Sequence, residues 1–116
     1  MEILVIKKPI TKAELSKIAK AGFGDMIKAV VDTEQGIMAI GGEFHAEEEV
    51  VLSEQEGTKR ENAWGVNLHP EKPEKEWIVF DSMVNIKPQH NNRSRKVEDE
   101  AIQEKIRVIV TTLILN

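Results

Sequence analysis

The sequence predicts one α+β domain, and three observations carry that expectation. A complete helix start signal follows the first β-rich run, a strand–turn–strand pattern lies in the first half, and an apolar stripe at helical spacing closes the chain. In order, the elements run β-α-β-β-α-β-β-α. Hairpin connections disfavour purely parallel wiring, so the sheet is expected to be mixed or antiparallel with helices packed on it. A chain of 116 residues suits a single domain over 1–116, with enough apolar surface for a core without metal or disulfide.

EILVIKK at 2–8 is the first strand, apolar and β-rich. Thr11 and Glu14 form a T-x-x-E capping box, in which each side chain satisfies the other residue's free backbone N–H, and Ile10 and Leu15 are placed for a hydrophobic staple. Leu15, Ile18 and Ala19 make the buried stripe of this helix, and Gly22 stops it. MIKAVV at 26–31 reads as a strand too apolar to be exposed, DTEQG at 32–36 as a turn, and IMAI at 37–40 as the hairpin partner. Beyond Gly41-Gly42 a short acidic helix is expected over 46–55, with Val50, Val51 and Leu52 as its apolar contacts and Gly57 as its stop. Trp64, Val66 and Leu68 alternate with Gly65 and Asn67 as in a half-buried strand. HPEKPEKE at 69–76 is a solvated loop, and WIVFDSMVNI at 77–86 is one long strand or two short ones broken near Asp81-Ser82. Ile102, Ile106, Ile109, Val110 and Leu113 mark a last helix over 99–115, whose start Asp99 or Glu98 suits electrostatically.

Composition narrows the function classes. A hydrophobic share of 41% and a charged share of 31% belong to a folded chain and not to a disordered one. Cysteine is absent, which excludes disulfides, thiolate metal sites and cysteine nucleophiles, and leans toward a reducing, cytoplasmic setting. The opening MEILVIKKPITKAEL carries an acid at Glu2 and only a short apolar run before Lys7-Lys8, unlike a signal peptide. No window approaches the roughly 20 apolar residues of a membrane span. The net charge of −4 argues against bulk attraction to nucleic acid but leaves room for a local basic patch.

Such a patch exists. Lys87-Pro88-Gln89-His90-Asn91-Asn92-Arg93-Ser94-Arg95-Lys96 holds four Lys or Arg and a histidine with no acid, between a strand end and a helix start. Loops so placed aim backbone N–H groups and arginine forks at phosphate or carboxylate. The candidate ligand-binding residues are Lys87, Gln89, His90, Asn92, Arg93, Ser94 and Arg95. The plainer alternative is that Asn91-Asn92 only turn the chain and the cations stay solvated, or that Arg93 or Arg95 pairs with Glu98 or Asp99. No glycine-rich phosphate fingerprint accompanies the loop.

Gly41-Gly42-Glu43-Phe44-His45 is the second candidate. Its glycines allow close backbone approach or positive φ, and Glu43 with His45 would make a carboxylate–imidazole acid–base pair. The competing account is a turn into a helix whose acidic start, Glu47-Glu48-Glu49, is electrostatically favoured. Asp81 interrupts an apolar run and either caps a bulge with Ser82 or faces a pocket. His45, His69 and His90 lack H-x-H or H-x-x-x-H spacing, so no metal site is predicted unless the three converge with Glu43 or Asp81. Trp64 and Trp77 read as core or interface anchors rather than base-stacking platforms. None of Ser16, Ser53, Ser82 and Ser94 sits in a G-x-S-x-G elbow. No cofactor is assigned.

GIMAIGGEFHAEEE at 36–49, WGVNLHPEKP at 64–73 and NIKPQHNNRSRKVED at 85–99 together resemble a family of small prokaryotic proteins classed as a domain of unknown function. The likeness covers nearly the whole chain, with the blocks in the same order and spacing. The family's third block resembles N-I-R-P-x-x-x-N-R-S followed by an acidic helix start. Asn85, Ile86, Pro88, Asn92, Arg93 and Ser94 occupy those positions, and Lys87 stands where arginine is usual. Lysine keeps the charge and loses the planar fork, which weakens a bidentate role there. The resemblance implies a prokaryotic, cytoplasmic, stand-alone domain and supplies no activity.

Three functional readings fit these residues. The first is a noncatalytic binding module whose basic loop, with Arg93, Arg95 and His90, holds an anionic small molecule or an acidic protein surface. The second is a small hydrolase-type or phosphoryl-handling enzyme with Glu43, His45, Asp81 and His90 around one cleft. The third is an oligomeric or interaction subunit, a homodimer included, in which Trp64, Trp77 and the apolar end Leu113-Ile114-Leu115 form the contact surface.

Overall fold

The computed structural model describes residues 2–116. In chain order it contains β1 (Leu4–Ile6), β2 (Ile10–Thr11), α1 (Lys12–Ala21), β3 (Ile27–Asp32), β4 (Ile37–Ile40), α2 (His45–Glu56), β5 (Ala63–Leu68), β6 (Ile78–Val79), α3 (Glu100–Leu113) and β7 (Ile114–Leu115). Five strands form one sheet in the order β1-β4-β3-β5-β6, and every pairing in it is antiparallel. This is the expected α+β fold. β2 and β7 make a separate parallel pair, Ile10 opposite Ile114 and Thr11 opposite Leu115.

Side chains alternate across a strand, and the two faces of the sheet are covered differently. Ala29, Val31, Met38, Ile40, Trp64, Val66 and Leu68 meet Leu15 and Ala19 of α1 and Ile106, Val110 and Leu113 of α3 in the main core. Val30, Ala39 and Ala63 point the other way and meet Leu52 of α2. The result is three layers, with α1 and α3 below the sheet and α2 above it. Double coverage corrects the half-buried expectation for β5, where Gly65 is buried along with its neighbours.

α1 begins as its sequence dictates. The Glu14 N–H donates to Thr11 Oγ1 at 3.1 Å and the Thr11 N–H to Glu14 Oε1 at 3.3 Å, which satisfies two free donors of the first turn. Thr11→Ala is expected to destabilise the protein by about 1 kcal/mol, read as a lower urea midpoint with an unchanged slope. The 32–36 turn is also legible in its residues. The Asp32 carboxylate accepts the N–H groups of Glu34 and Gln35 at 2.9 and 3.0 Å and the Thr58 hydroxyl at 2.7 Å.

Two elements differ from expectation. Of residues 77–86 only Ile78 and Val79 pair with β5. The chain then leaves the sheet, and Ser82 caps a short 3₁₀ turn over Met83–Asn85 by accepting the Val84 N–H at 3.2 Å, so the break at Asp81-Ser82 is a cap and not a bulge. The last helix starts at Glu100 with Asp99 as its cap and stops at Leu113, because Ile114 and Leu115 pair with β2 instead. Trp64, Trp77, Leu113 and Ile114 are all buried. The contact surface expected from them is therefore core, with Leu115 alone exposed. Among the described residues no helix is long and apolar enough to cross a membrane.

Candidate functional site

Residues 85–98 close the open edge of β5. Alternate residues of an antiparallel strand turn their N–H and C=O to the same side, and the outward row here is satisfied by three different devices. At Ala63 the carbonyl accepts the Lys87 ammonium at 2.6 Å. At Gly65 the Asn85 carboxamide takes both groups, accepting the N–H at 2.8 Å and donating to the C=O at 2.9 Å. From Asn67 onward β6 takes over, and the His69 N–H donates to the Trp77 carbonyl at 2.8 Å. Gly65 has to be glycine, because a Cβ there would lie 2.5 Å from Ser82 Cβ.

Lys87 is buried. Its ammonium also donates to the Val84 carbonyl at 2.6 Å and lies 4.4 Å from the Trp64 ring centroid. Burial brings its pKa down to about 8. Asn92 is buried as well, donating to the carbonyls of Asn85, Ser94 and Lys96 and accepting the Glu98 N–H. Between them, Gln89 and His90 are exposed on a tight turn closed by the Lys87–Asn92 bridge.

The loop does build an anion site, and its own chain fills it. The Glu98 carboxylate accepts the Ser94 hydroxyl at 2.7 Å and the N–H groups of Arg93 and Ser94 at 3.0 and 2.8 Å. Those bonds hold its carboxyl below the usual pKa, the Ser94 hydroxyl contributing most. Arg95 is the loop cation that reaches elsewhere, with Nε 2.7 Å from Asp81 Oδ1.

That ion pair stands on a cleft of about 470 Å³ lined by Met26, Lys28, Phe44, His45, Ala46, Asn67, Asp81–Val84 and Arg95. The sheet register builds its floor. Lys28 of β3 lies directly opposite Asn67 of β5, on the face that α2 covers. His45, the first residue of α2, donates from Nε2 to the Val66 carbonyl at 2.8 Å, which leaves Nδ1 as an acceptor with no partner among the described residues. Burial holds this imidazole below its ordinary pKa, so it is neutral at pH 7, although the Val66 carbonyl favours the charged form.

The cap position of α2 is Phe44, which has no side-chain acceptor to offer, and the N–H groups of His45 and Ala46 find none among the described residues. The Lys28 ammonium lies 5.4 Å from the Phe23 ring centroid and 5.6 Å from that of Phe44. Phe44 and Met83 are exposed at the rim. Asn67 donates to the Asp81 carbonyl at 3.3 Å, and its Oδ1 is buried without a partner among the described residues.

Of the residues singled out in the sequence, the cleft gathers His45, Asp81 and Arg95, each from a different segment. Glu43 and His90 do not line it. Gly41 and Gly42 pack against their own chain: a Cβ would lie 2.7 Å from the Glu2 carbonyl at Gly41, where φ is +88°, and 2.9 Å from Glu48 Cγ at Gly42. Lys28 and Asn67 were not anticipated. A lone lysine in an otherwise apolar strand was the available signal for the first. Among the described residues no three His, Asp or Glu side chains group as metal ligands would.

The fold and cleft define a three-layer α+β domain with a cationic pocket at a helix start. The chain belongs to the family described as "Protein of unknown function (DUF5674)", whose model matches residues 4–113. Comparison with the curated proteins and with the solved structures finds no match.

Proposed function

We propose that this protein is a binding module that holds the acidic group of a small ligand in the cleft at the start of α2. One observation carries the reading: His45 and Ala46, whose N–H groups have no acceptor among the described residues, line the same cleft as Lys28 and Arg95. Free N–H groups at a helix start favour negative charge. A guanidinium fork and an ammonium add both charge and direction. Two cations against the single carboxylate of Asp81 make this a positive site in a chain whose net charge is −4. Met26, Phe44, Met83 and Val84 supply apolar walls for the body of the ligand. The concave shape favours a small molecule over a flat acidic protein surface.

Binding is favoured over covalent catalysis because the hydroxyl that lines the cleft is not free to act as a nucleophile. The Ser82 hydroxyl is buried and engaged with the Val84 N–H. Lys28→Ala and Arg95→Ala are each expected to weaken binding of a retained small acid about tenfold, and the double variant to abolish it. Calorimetric titration across phosphate, short carboxylic acids, nucleotides and amino acids, with circular dichroism to verify folding, provides the measurement. Unchanged affinity in the folded double variant would remove the reading.

A further inference from the structure

We infer that the ligand of this cleft is a zwitterion, an α-amino acid being its simplest form, with its acidic group at the start of α2 and its amino group on the acceptors of His45, Asp81 and Asn67. This inference rests on the anion-binding reading and adds an amine subsite to it.

The acceptors motivate the second half. His45 Nε2 is committed to the Val66 carbonyl, so Nδ1 presents a lone pair and no proton. Asp81 gives one oxygen to Arg95, and its other oxygen has no donor among the described residues. Asn67 Oδ1 is buried and lacks a donor among the described residues, although interior oxygens of this kind are nearly always paired. A single 3.3 Å bond from Nδ2 to the Asp81 carbonyl tethers that carboxamide, and the oxygen reaches an arriving donor when the amide turns about its last torsion and exchanges that bond for one to the ligand.

An ionised carboxylate brings no proton to any of these three atoms, whereas an ammonium brings three N–H donors. The two subsites are also adjacent. Lys28 and Asn67 are cross-strand partners, whose Cβ atoms stand about 5 Å apart on one face. Neighbouring opposite charges are what an α-amino acid carries. Arg95 positions the Asp81 carboxylate, and the apolar walls fit an aliphatic or aromatic side chain.

The test compares ligands that differ only in the amino group, by calorimetric titration of the whole chain: leucine against 4-methylpentanoate, and phenylalanine against 3-phenylpropionate. The amino acid of each pair is expected to bind at least about tenfold tighter, one well-formed charged hydrogen bond being of that size. Asp81→Asn is expected to collapse the ratio toward one and at the same time to tighten binding of the plain acid, since it removes a repelling carboxylate and frees Arg95. A merely structural role for Asp81 would weaken both ligands together, and that outcome overturns the assignment. Equal affinities in the parent chain, or a plain acid or inorganic phosphate binding tighter, overturn the amine subsite and leave the anion site standing. Binding by no acid of either kind overturns both.

Discussion

Replacing Asn85 by alanine is expected to destabilise the protein by about 3–5 kcal/mol, since each interior group left without its partner costs about 1–3 kcal/mol. Three such groups depend on this one side chain. Its carboxamide accepts the Gly65 N–H and donates to the carbonyls of Gly65 and Arg95 at 2.8, 2.9 and 3.0 Å, and the residue is fully buried. It stands in for the strand that β6 is too short to provide. Asn85→Asp keeps the acceptor, loses both donors and buries a charge, so it should fare no better. Urea unfolding should show a lowered midpoint at an unchanged slope. Arg93→Ala is the control: its exposed side chain makes no hydrogen bond among the described residues, only its backbone N–H being engaged, and a change within about 0.5 kcal/mol is expected. If Asn85→Ala proved as mild as that control, the edge-closing role would be wrong.

The contrast between Asn85 and Thr11 explains what the sequence discloses. The Thr11–Glu14 cap is legible because its partners lie three residues apart and the geometry is set by the helix itself. The hairpin at 32–36 is legible for the same reason. Asn85, Lys87 and Asn92 owe their roles to a strand edge 20 or more positions away or to carbonyls of an irregular loop, and no local pattern announces either. Residue types showed that 87–96 is unusual. Only the packing separates Arg95, which reaches the cleft, from Lys87, which is buried against the edge of β5.

Likewise Ile114 and Leu115 continue an apolar helical run, and the competing partner that straightens them, β2, lies at the opposite end of the chain. Lys28 and Asn67 became neighbours through the register of β3 and β5. Glu48 is the instructive miss. In Glu47-Glu48-Glu49 it reads as one of three solvated acids, yet it stands four residues before Leu52, on the helix face that meets the sheet.

Glu48→Gln is expected to stabilise the protein, and increasingly so as the pH rises. The Glu48 carboxyl is fully buried. One oxygen accepts the Gly42 N–H at 2.9 Å, and the other has no partner among the described residues. Burial outweighs that hydrogen bond and the attraction of Lys28, and pushes the pKa up from 4.5 to about 9. The folded chain therefore retains a proton that the unfolded chain releases above about 4.5. Stability from this group is fully present below the unfolded value and is lost as pH rises toward the folded one. Within that window each pH unit removes up to about 1.4 kcal/mol.

Glutamine mimics the neutral acid, keeps an acceptor for Gly42 and has no proton to lose. The variant should match the parent within about 0.5 kcal/mol at pH 4.5 and exceed it by roughly 2 kcal/mol or more at pH 8. Lys87 bears on the same measurement with the opposite sign. Its folded pKa of about 8 lies below the ordinary 10.5, so its contribution to stability rises with pH between those values and is flat below them. Unfolding curves between pH 4.5 and 7.5 thus isolate Glu48 from Lys87. Parallel stability profiles for parent and variant across that range would show that Glu48 is not held neutral by its burial.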